Sequence, residues 1–244
     1  MERCDVVNDS LKLIQENDGL KFGTDALLLA GYINGKHKRG CEFGSGSGII
    51  SMLLLTREKI ASCVALEVQE EYAALTEKNV RLNGLEEKIQ TVNIDIRDYK
   101  PKEEFDIIFS NPPYMKTDSG RKNLLEKKNI ARHEVCGDIG DFCSSAKKML
   151  KFGGCFAAVY RTDRLIDLIA AMRDNNIEPK RLTLVHADTD SEPSMALIEG
   201  KLGGRCGLLV TKPLIIYSDS SHKSYSDDMN YIMENGSFHS AFKR

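Results

Sequence analysis

The pattern of apolar and polar positions along this chain alternates repeatedly between one typical of strands and one typical of helices. Short, nearly continuous apolar runs such as 105–110 are typical of parallel strands that are buried on both faces. Longer amphipathic stretches such as 70–83 are typical of helices that cover a sheet. The pattern predicts helices at 24–33, 49–56, 70–83, 138–151 and 162–175, and strands at 40–43, 62–68, 88–94, 105–110, 155–160, 181–187, 194–202 and 207–211. Because strand and helix alternate, we expect an α/β fold with a mostly parallel sheet and helices on both faces.

Local signals refine the helix ends and the domain organisation. Thr24 or Asp25 is predicted to cap the first helix, and Asn83-Gly84 is predicted to end the third helix in a left-handed conformation. No internal repeat or linker divides the chain. We therefore expect a single domain over residues 1–244, with a short N-terminal extension to about residue 38.

Composition narrows the cellular context. Hydrophobic residues make up 41% of the chain and charged residues 29%, which is typical of a globular protein in water. No apolar run approaches the roughly 20 residues that span a bilayer, and the N-terminus lacks the layout of a signal peptide. These features predict a cytoplasmic protein without a membrane partner.

Cysteine usage and net charge limit the possible partners. The seven cysteines are odd in number and form no CxxC pair, which argues against a disulfide framework and against a zinc site. Cys41, Cys63 and Cys155 lie inside predicted strands, where cysteine acts as a small buried hydrophobe. The net charge of −2 shows no overall basic excess, so a nucleic-acid surface would have to be a local patch. A small-molecule or protein substrate remains open.

A glycine-rich turn joins the first predicted strand of the sheet to a helix, in the segment Glu42-Phe43-Gly44-Ser45-Gly46-Ser47-Gly48. Glycines at this position allow a tight turn and a close approach of the backbone to a ligand. Glu67 ends the next strand, 19 residues beyond Gly48, where its carboxylate can accept from both ribose hydroxyls of an adenosine. Asp95 follows the third strand, placed to accept from an adenine amino group. A nicotinamide-dependent enzyme would explain the glycines and Glu67, but not Asp95 together with the next motif.

The tetrapeptide Asn111-Pro112-Pro113-Tyr114 follows the strand at 105–110, at the edge where open α/β sheets bind ligands. Its two prolines make the turn stiff and rich in acceptors. A planar NH2 group is a poor nucleophile, because its lone pair is delocalised into the π system. The Asn111 oxygen and the Pro112 carbonyl can accept its two hydrogens, while Tyr114 stacks on the planar group. Asn111, Pro112 and Tyr114 are therefore the candidate catalytic residues for methyl transfer to nitrogen, a reaction that needs no metal.

These motifs resemble those of class I S-adenosylmethionine-dependent methyltransferases that carry an Asn-Pro-Pro-Tyr motif. Over about residues 17 to 230 the chain looks most similar to bacterial valine-tRNA adenine-N6-methyltransferases, through residues 20–28, 130–134 and 225–229. The resemblance implies a Rossmann-like, mostly parallel seven-stranded sheet with an antiparallel strand near the C-terminal end. It also implies the cofactor S-adenosyl-L-methionine and a tRNA partner. The residues expected to bind the cofactor are Lys21, Phe22, Gly23, Thr24, Glu42, Gly44, Gly46, Gly48, Glu67, Asp95, Ile96 and Asn111.

The acceptor is predicted from chain length and a local basic run. Only about 40 residues precede Glu42, fewer than the N-terminal helical domain of release-factor methyltransferases would need, and this favours the compact tRNA enzymes. Positive side chains dominate 115–133 directly after the catalytic turn, where they can hold phosphates while a base is flipped outward. The substrate contacts expected there are Tyr114, Arg121, Lys122, Arg132 and His133. Two alternatives remain open: a protein glutamine or small-molecule N-methyltransferase, and a catalytically inactive RNA-binding protein. The sequence also leaves open whether the chain is a monomer or a homodimer.

Overall fold

The computed structural model describes residues 2–8, 11–16, 23–112 and 137–242. The strands of this part of the chain are β1 (Glu2–Asn8), β2 (Leu11–Glu16), β3 (His37–Phe43), β4 (Ile60–Glu67), β5 (Ile89–Asn93), β6 (Phe105–Ser110), β7 (Leu150–Arg161), β8 (Ile177–His186), β9 (Pro193–Leu202), β10 (Leu209–Val210) and β11 (Leu214–Ile215). The α-helices are α1 (Thr24–Tyr32), α2 (Ile49–Thr56), α3 (Glu70–Leu82), α4 (Ile139–Met149), α5 (Leu165–Asp174) and α6 (Asp227–Asn235).

The central sheet has the strand order β10-β8-β9-β7-β6-β3-β4-β5, and β11 also pairs with β8. Strands β3 to β7 run parallel to their neighbours among themselves, whereas β9 is antiparallel to both β7 and β8. The seven longer strands, β3 to β9, thus confirm the predicted mostly parallel sheet with an antiparallel strand near the C-terminal end. The two-residue strands β10 and β11 extend it.

Two apolar layers lie on opposite faces of the sheet. Helices α1 and α2 pack in one layer and α4 and α5 in the other. Consecutive residues of a central strand alternate between the layers: Ile107 and Phe109 of β6 join the first, and Phe105 and Ile108 join the second. Because both faces are covered, such a strand is apolar at nearly every position, and this produced the continuous runs in the sequence.

The N-terminal strands β1 and β2 form an antiparallel hairpin outside the main sheet, and the sequence pattern did not predict it. Two asparagines one helical turn apart, Asn79 in α3 and Asn83 directly after it, bind the backbone of β2. Asn79 accepts from Ile14 N at 2.7 Å and donates to Ile14 O at 3.1 Å, and Asn83 makes the same pair of bonds with Lys12 at 2.9 and 2.8 Å. A side-chain amide thus replaces the neighbouring strand that the edge of β2 would otherwise need.

The observed helix boundaries agree with the predictions at most ends. The cap at the start of α1 differs. α2 spans the predicted residues, and Gly84 follows α3 with a φ of +64° as predicted. The predicted cap of α1 is wrong, because Gly23 occupies the N-cap position and, among the described residues, no side chain bonds to the helix N–H groups there. The carboxylate of Asp25 instead accepts a hydrogen bond from the side-chain amide of Asn111. Cys41 and Cys63 are buried as expected, but Cys155 is only partly buried.

A buried cation ties the C-terminal residues to the domain. Arg181 of β8 donates to the carbonyls of Tyr32 at 2.6 Å and Phe242 at 3.2 Å, and it pairs with Glu199 at 2.8 Å. Its guanidinium carbon lies 3.8 Å from the centre of the Tyr32 ring. Within the described ranges, no helix is long and apolar enough to cross a membrane.

Candidate active site

The carboxyl ends of four neighbouring strands bring the predicted site residues together. Phe43, the last residue of β3, lies opposite Leu66 of β4 on one side and Ser110 of β6 on the other. Glu67 lies opposite Asn93, where β5 ends. The buried Ser110 hydroxyl donates to the Phe43 carbonyl at 2.8 Å and joins two of these strand ends. The glycine turn, Glu67, Asp95 and Asn111 therefore follow strands that end at one edge of the sheet.

The glycine turn has a backbone that requires glycine at three positions. Gly44, Gly46 and Gly48 have φ values of +69°, +57° and +77°, a region that side chains with a Cβ rarely enter. A Cβ added to Gly48 would lie 2.9 Å from the Thr76 methyl group, whereas none of the described residues lies within 4 Å of one added to Gly44. Gly48 is thus packed against α3, and the described residues leave space beside Gly44 into which a ligand can fit.

Backbone N–H groups of the turn donate hydrogen bonds to other groups of the protein. Gly44 N and Ser45 N both donate to the Leu66 carbonyl, at 2.9 and 3.0 Å, and Gly48 N donates to the Ser45 carbonyl at 2.7 Å. Gly46 N donates to Glu67 Oε2 at 2.9 Å. These bonds hold the turn against the end of β4.

Glu67 supports the turn from the end of β4. It is buried, and its carboxylate accepts from Gly46 N and, through Oε1, from Gln69 N at 3.0 Å. Burial raises the pKa of the Glu67 carboxyl, and hydrogen bonds from the backbone of Gln69, Gly46 and Val68 and from the Gln69 side chain oppose this effect. A carboxylate has about four acceptor positions, and Gly46 N and Gln69 N take one on each oxygen.

Glu42 lies behind the turn at the end of β3. It is 1% exposed, and its Oε2 accepts from Ser51 N at 3.1 Å and from the Ser51 hydroxyl of α2. Burial raises the pKa of Glu42 to about 8. The carboxyl therefore caps an amide near the start of α2, and a contact between Glu42 and a cofactor stays a prediction.

Asp95 and Ile96 follow β5 on the outer side of the same edge. Asp95 forms a two-point ion pair with Arg97, with bonds of 2.9 Å from Nε to Oδ1 and 2.5 Å from Nη2 to Oδ2. This pairing holds the pKa of the Asp95 carboxyl below its ordinary value. The Ile96 side chain is buried in the sheet layer that holds α4 and α5. Asp95 thus stays ionised, as an acceptor for an adenine amino group must.

Two polar residues of α3 belong to the site but were missed in the sequence. Thr76 donates to the Gly46 carbonyl at 2.9 Å, and Asn79 donates to the Ser47 carbonyl at 3.0 Å. Both side chains are fully buried. The available signal was their polarity on the otherwise apolar, inward side of an amphipathic helix, because a buried polar group requires a partner.

Asn111 directly follows β6, and its amide is held by the first turn of α1. Asn111 Nδ2 donates to Asp25 Oδ2 at 2.7 Å, and Pro112 is buried. Gly23 and Thr24 lie beside this contact at the start of α1. The predicted site residues outside the described part of the chain are Lys21, Phe22, Tyr114, Arg121, Lys122, Arg132 and His133.

The residues present fit S-adenosyl-L-methionine. The described residues leave space beside Gly44, and Glu67 and Asp95 provide acceptors at the ends of adjacent strands. Glu67 would hold the ribose hydroxyls, Asp95 the adenine amino group, and the turn would allow the close approach of the sulfonium end. In the described residues, no group of three or more His, Cys, Asp or Glu side chains is arranged to hold a metal ion.

Comparison with known proteins identifies the family. The sequence profile of the methyltransferase small domain matches residues 16–163. The chain belongs to this methyltransferase family. The methyltransferase is 29% identical over 183 residues to a tRNA1(Val) (adenine(37)-N6)-methyltransferase of Parabacteroides distasonis, a match that covers 74% of this chain and 76% of the relative. It is 28% identical to the protein of the same name from Phocaeicola vulgatus, over 75% of this chain and 77% of that relative.

A solved structure shares the fold of this methyltransferase. A predicted O-methyltransferase from Agrobacterium tumefaciens superimposes with a TM-score of 0.71 at 20% identity, over 88% of this chain and 98% of the other. The predicted enzyme class, the Rossmann-like fold and the use of S-adenosyl-L-methionine are thereby confirmed. The roles of individual site residues stay predictions.

Proposed function

We propose that this methyltransferase transfers a methyl group to the exocyclic N6 of an adenine in tRNA, next to the anticodon. The observation that carries the proposal is the placement of the Asn111 side chain, at the strand end beside the glycine turn and Glu67. The names of the relatives from Parabacteroides distasonis and Phocaeicola vulgatus support tRNA as the acceptor. A tRNA substrate in turn favours a cytoplasmic location.

The chemistry is one of positioning. S-adenosyl-L-methionine, when bound, supplies an electrophilic methyl group on a positively charged sulfur. Asn111 Oδ1 and the Pro112 carbonyl accept the two hydrogens of the target amino group, which draws the nitrogen toward a tetrahedral geometry with its lone pair directed at the methyl carbon. Transfer would form the N–C bond as the S–C bond breaks, with the extra proton on nitrogen leaving to solvent. Tyr114 would stack on the adenine and hold it in line.

A second candidate is methyl transfer to the amide nitrogen of a glutamine or to a small molecule. The β8–β9 connection, at the same edge of the sheet as Asn111, carries Asp188, Asp190 and Glu192, and the last two are exposed. Such an acidic segment repels phosphates, so an RNA would have to approach this edge away from the β8–β9 connection. A neutral or basic acceptor would not be restricted in this way.

The deciding experiment measures where a labelled methyl group goes. Purified protein is incubated with methyl-labelled S-adenosylmethionine and a total extract of cells that lack adenine-N6 methylation of tRNA. We expect the label in tRNA, as N6-methyladenosine after digestion. Label found only in protein or in small molecules would refute the tRNA proposal and favour the second candidate.

Two variants and one control test the roles of the site residues. Asn111→Ala should lower the rate of transfer by about 100-fold or more, because one acceptor for the amino group is lost. Glu67→Ala should lower the affinity for S-adenosylmethionine measured by calorimetry. Glu104→Ala removes an exposed carboxylate before β6, at the strand end opposite Asn111, and should change neither quantity. No binding of S-adenosylmethionine to the wild type would overturn the catalytic proposal as a whole.

A further inference from the structure

A contact between the start of α1 and the end of β6 joins two residues that are 86 positions apart in the chain. Asn111 Nδ2 donates to Asp25 Oδ2 across 2.7 Å, and both side chains are partly buried. Asp25 lies in the first turn of α1, where a carboxylate would normally bond to the helix N–H groups. Here none of the described side chains makes that cap bond, and the carboxylate instead accepts from the candidate catalytic amide.

This contact fixes which end of the Asn111 amide faces which way. The oxygens of a carboxylate only accept hydrogen bonds, so the amide end that faces Asp25 is its NH2 group. With the amide reversed, two acceptor oxygens would meet at about the same short distance and repel each other. The Oδ1 atom is therefore directed away from Asp25. Methylation of an amino group depends on this orientation of the amide. The nitrogen that is to be methylated carries hydrogens, so it needs a hydrogen-bond acceptor such as Oδ1 facing it.

The absence of a side chain at Gly23 is a second observation that supports a specific position for the Asp25 carboxylate. A Cβ added to Gly23 would lie 2.4 Å from Asp25 Oδ1. The φ of Gly23 is −110°, which residues with side chains adopt freely, so backbone strain does not explain a glycine there. The space that Gly23 leaves is filled by the carboxylate.

We propose that Asp25 is a positioning residue that sets the orientation of the Asn111 amide, so that Oδ1 is presented to the amino group to be methylated. Asp25 acts only through Asn111. By accepting from Nδ2, the carboxylate also polarises the amide and makes Oδ1 a stronger acceptor. The inference deepens the proposed function and rests on it for the identity of the acceptor.

The first test is a double-mutant cycle on single-turnover methyl transfer with tRNA and S-adenosylmethionine both saturating. Asp25→Ala should slow transfer by about 30- to 100-fold, as loss of a productive geometry does, with the affinity for S-adenosylmethionine and the unfolding midpoint near those of the wild type. Asp25→Asn keeps an acceptor oxygen for Nδ2 and should recover most of the rate. The double variant Asp25→Ala/Asn111→Ala should be no slower than Asn111→Ala, because Asp25 has no target without the amide. Glu104→Ala serves as the control for loss of a carboxylate.

Two results of this cycle would overturn the proposal. Losses that multiply in the double variant would mean that Asp25 acts independently of Asn111. Equal losses in Asp25→Asn and Asp25→Ala would mean that the charge of Asp25, rather than the hydrogen bond, is required. Gly23→Ala adds a further check: it should displace the carboxylate and slow transfer, with no additional loss when combined with Asp25→Ala.

A second readout does not depend on activity and so separates this inference from the proposed function. The side-chain amide signals of Asn111 in a ¹⁵N spectrum are identified by their absence in Asn111→Ala. They should move in Asp25→Ala and stay in place in Glu104→Ala. Unchanged signals in Asp25→Ala would overturn the contact itself. If the wild type methylates no tRNA while these signals move as expected, the proposed acceptor is wrong and the role of Asp25 toward Asn111 stands.

Discussion

Replacing Glu42 by glutamine exchanges a buried carboxyl group, which can ionise, for an amide, which cannot. The shape of the side chain stays almost unchanged. The two bonds from Ser51 both end on the same oxygen, Oε2, so a glutamine can retain them with its single carbonyl oxygen. The variant therefore tests the cost of charge at this position, separated from the loss of packing or of a hydrogen bond.

The size of the effect follows from the pKa of Glu42. Burial raises it from an ordinary value of 4.5 to about 8, with a further contribution from the nearby Glu67. A difference of this size corresponds to about 5 kcal/mol in favour of the protonated form in the folded state. Since the folded pKa is the higher one, this stabilisation is fully present below about pH 4.5 and is lost as the pH rises to about 8. Glutamine cannot ionise and loses nothing over this range.

The assay is urea unfolding of the cofactor-free wild type and Glu42→Gln at several pH values from 5 to 9, followed by circular dichroism. The variant should be close to the wild type in stability near pH 5 and gain on it by up to about 1.4 kcal/mol per pH unit until about pH 8, where the difference levels off. Other titrating groups are shared by both proteins and cancel in the difference. Glu104→Gln, at an exposed position, should show a constant difference. A constant difference for Glu42→Gln as well would refute the raised pKa.

The remaining predictions concern the turn and the hairpin. Gly44→Ala and Gly48→Ala both force an unfavourable φ, at about 1–2 kcal/mol each, and Gly48→Ala should destabilise the fold further because its Cβ would meet Thr76. Gly44→Ala should instead lower the affinity for S-adenosylmethionine in calorimetry at least as strongly as Gly48→Ala, and a normal affinity would argue against a ligand beside Gly44. Asn79→Ala leaves buried backbone groups without partners and should lower the free energy of unfolding in urea by about 2–3 kcal/mol. Asn83→Ala, whose bonds to β2 are exposed, should cost about 1 kcal/mol or less, and equal losses would contradict this account of the hairpin.

Most of the sheet and the edge that carries the candidate site could be predicted from the sequence, because the signals are local. A strand buried on both faces requires continuous apolar residues, and a tight turn with positive φ requires glycine. These requirements act within a few residues, so the turn at Gly44–Gly48 and the strand at 105–110 are visible without any structure. Their arrangement then follows from the way parallel strands are connected.

The contacts that the sequence did not reveal join distant parts of the chain. The sequence around Asp25 matches the pattern of a helix cap, yet its carboxylate binds an amide 86 residues away. A pattern within a few residues cannot indicate such a distant partner. The bonds between Asn79 and β2 span 65 residues, and neither end has a pattern that indicates the other. Arg181 resembles an exposed cation of an edge strand until its contacts with Tyr32 and Phe242 are seen.

The geometry of the turn also separates two kinds of ligand that its glycines alone do not distinguish. In sites for a dinucleotide, the diphosphate is held by N–H groups of the turn and of the following helix N-terminus. Here Gly44, Ser45, Gly46 and Gly48 all donate their N–H groups within the protein. The N–H of Ser51 in α2 is taken by the Glu42 carboxyl, an acidic group close to where a phosphate would have to sit. A nucleoside that lacks a diphosphate and carries a positive charge suits such a turn better, because these four amides are already used and cannot compensate for added negative charge. The occupied amides of the turn therefore favour the sulfonium cofactor over a nicotinamide dinucleotide.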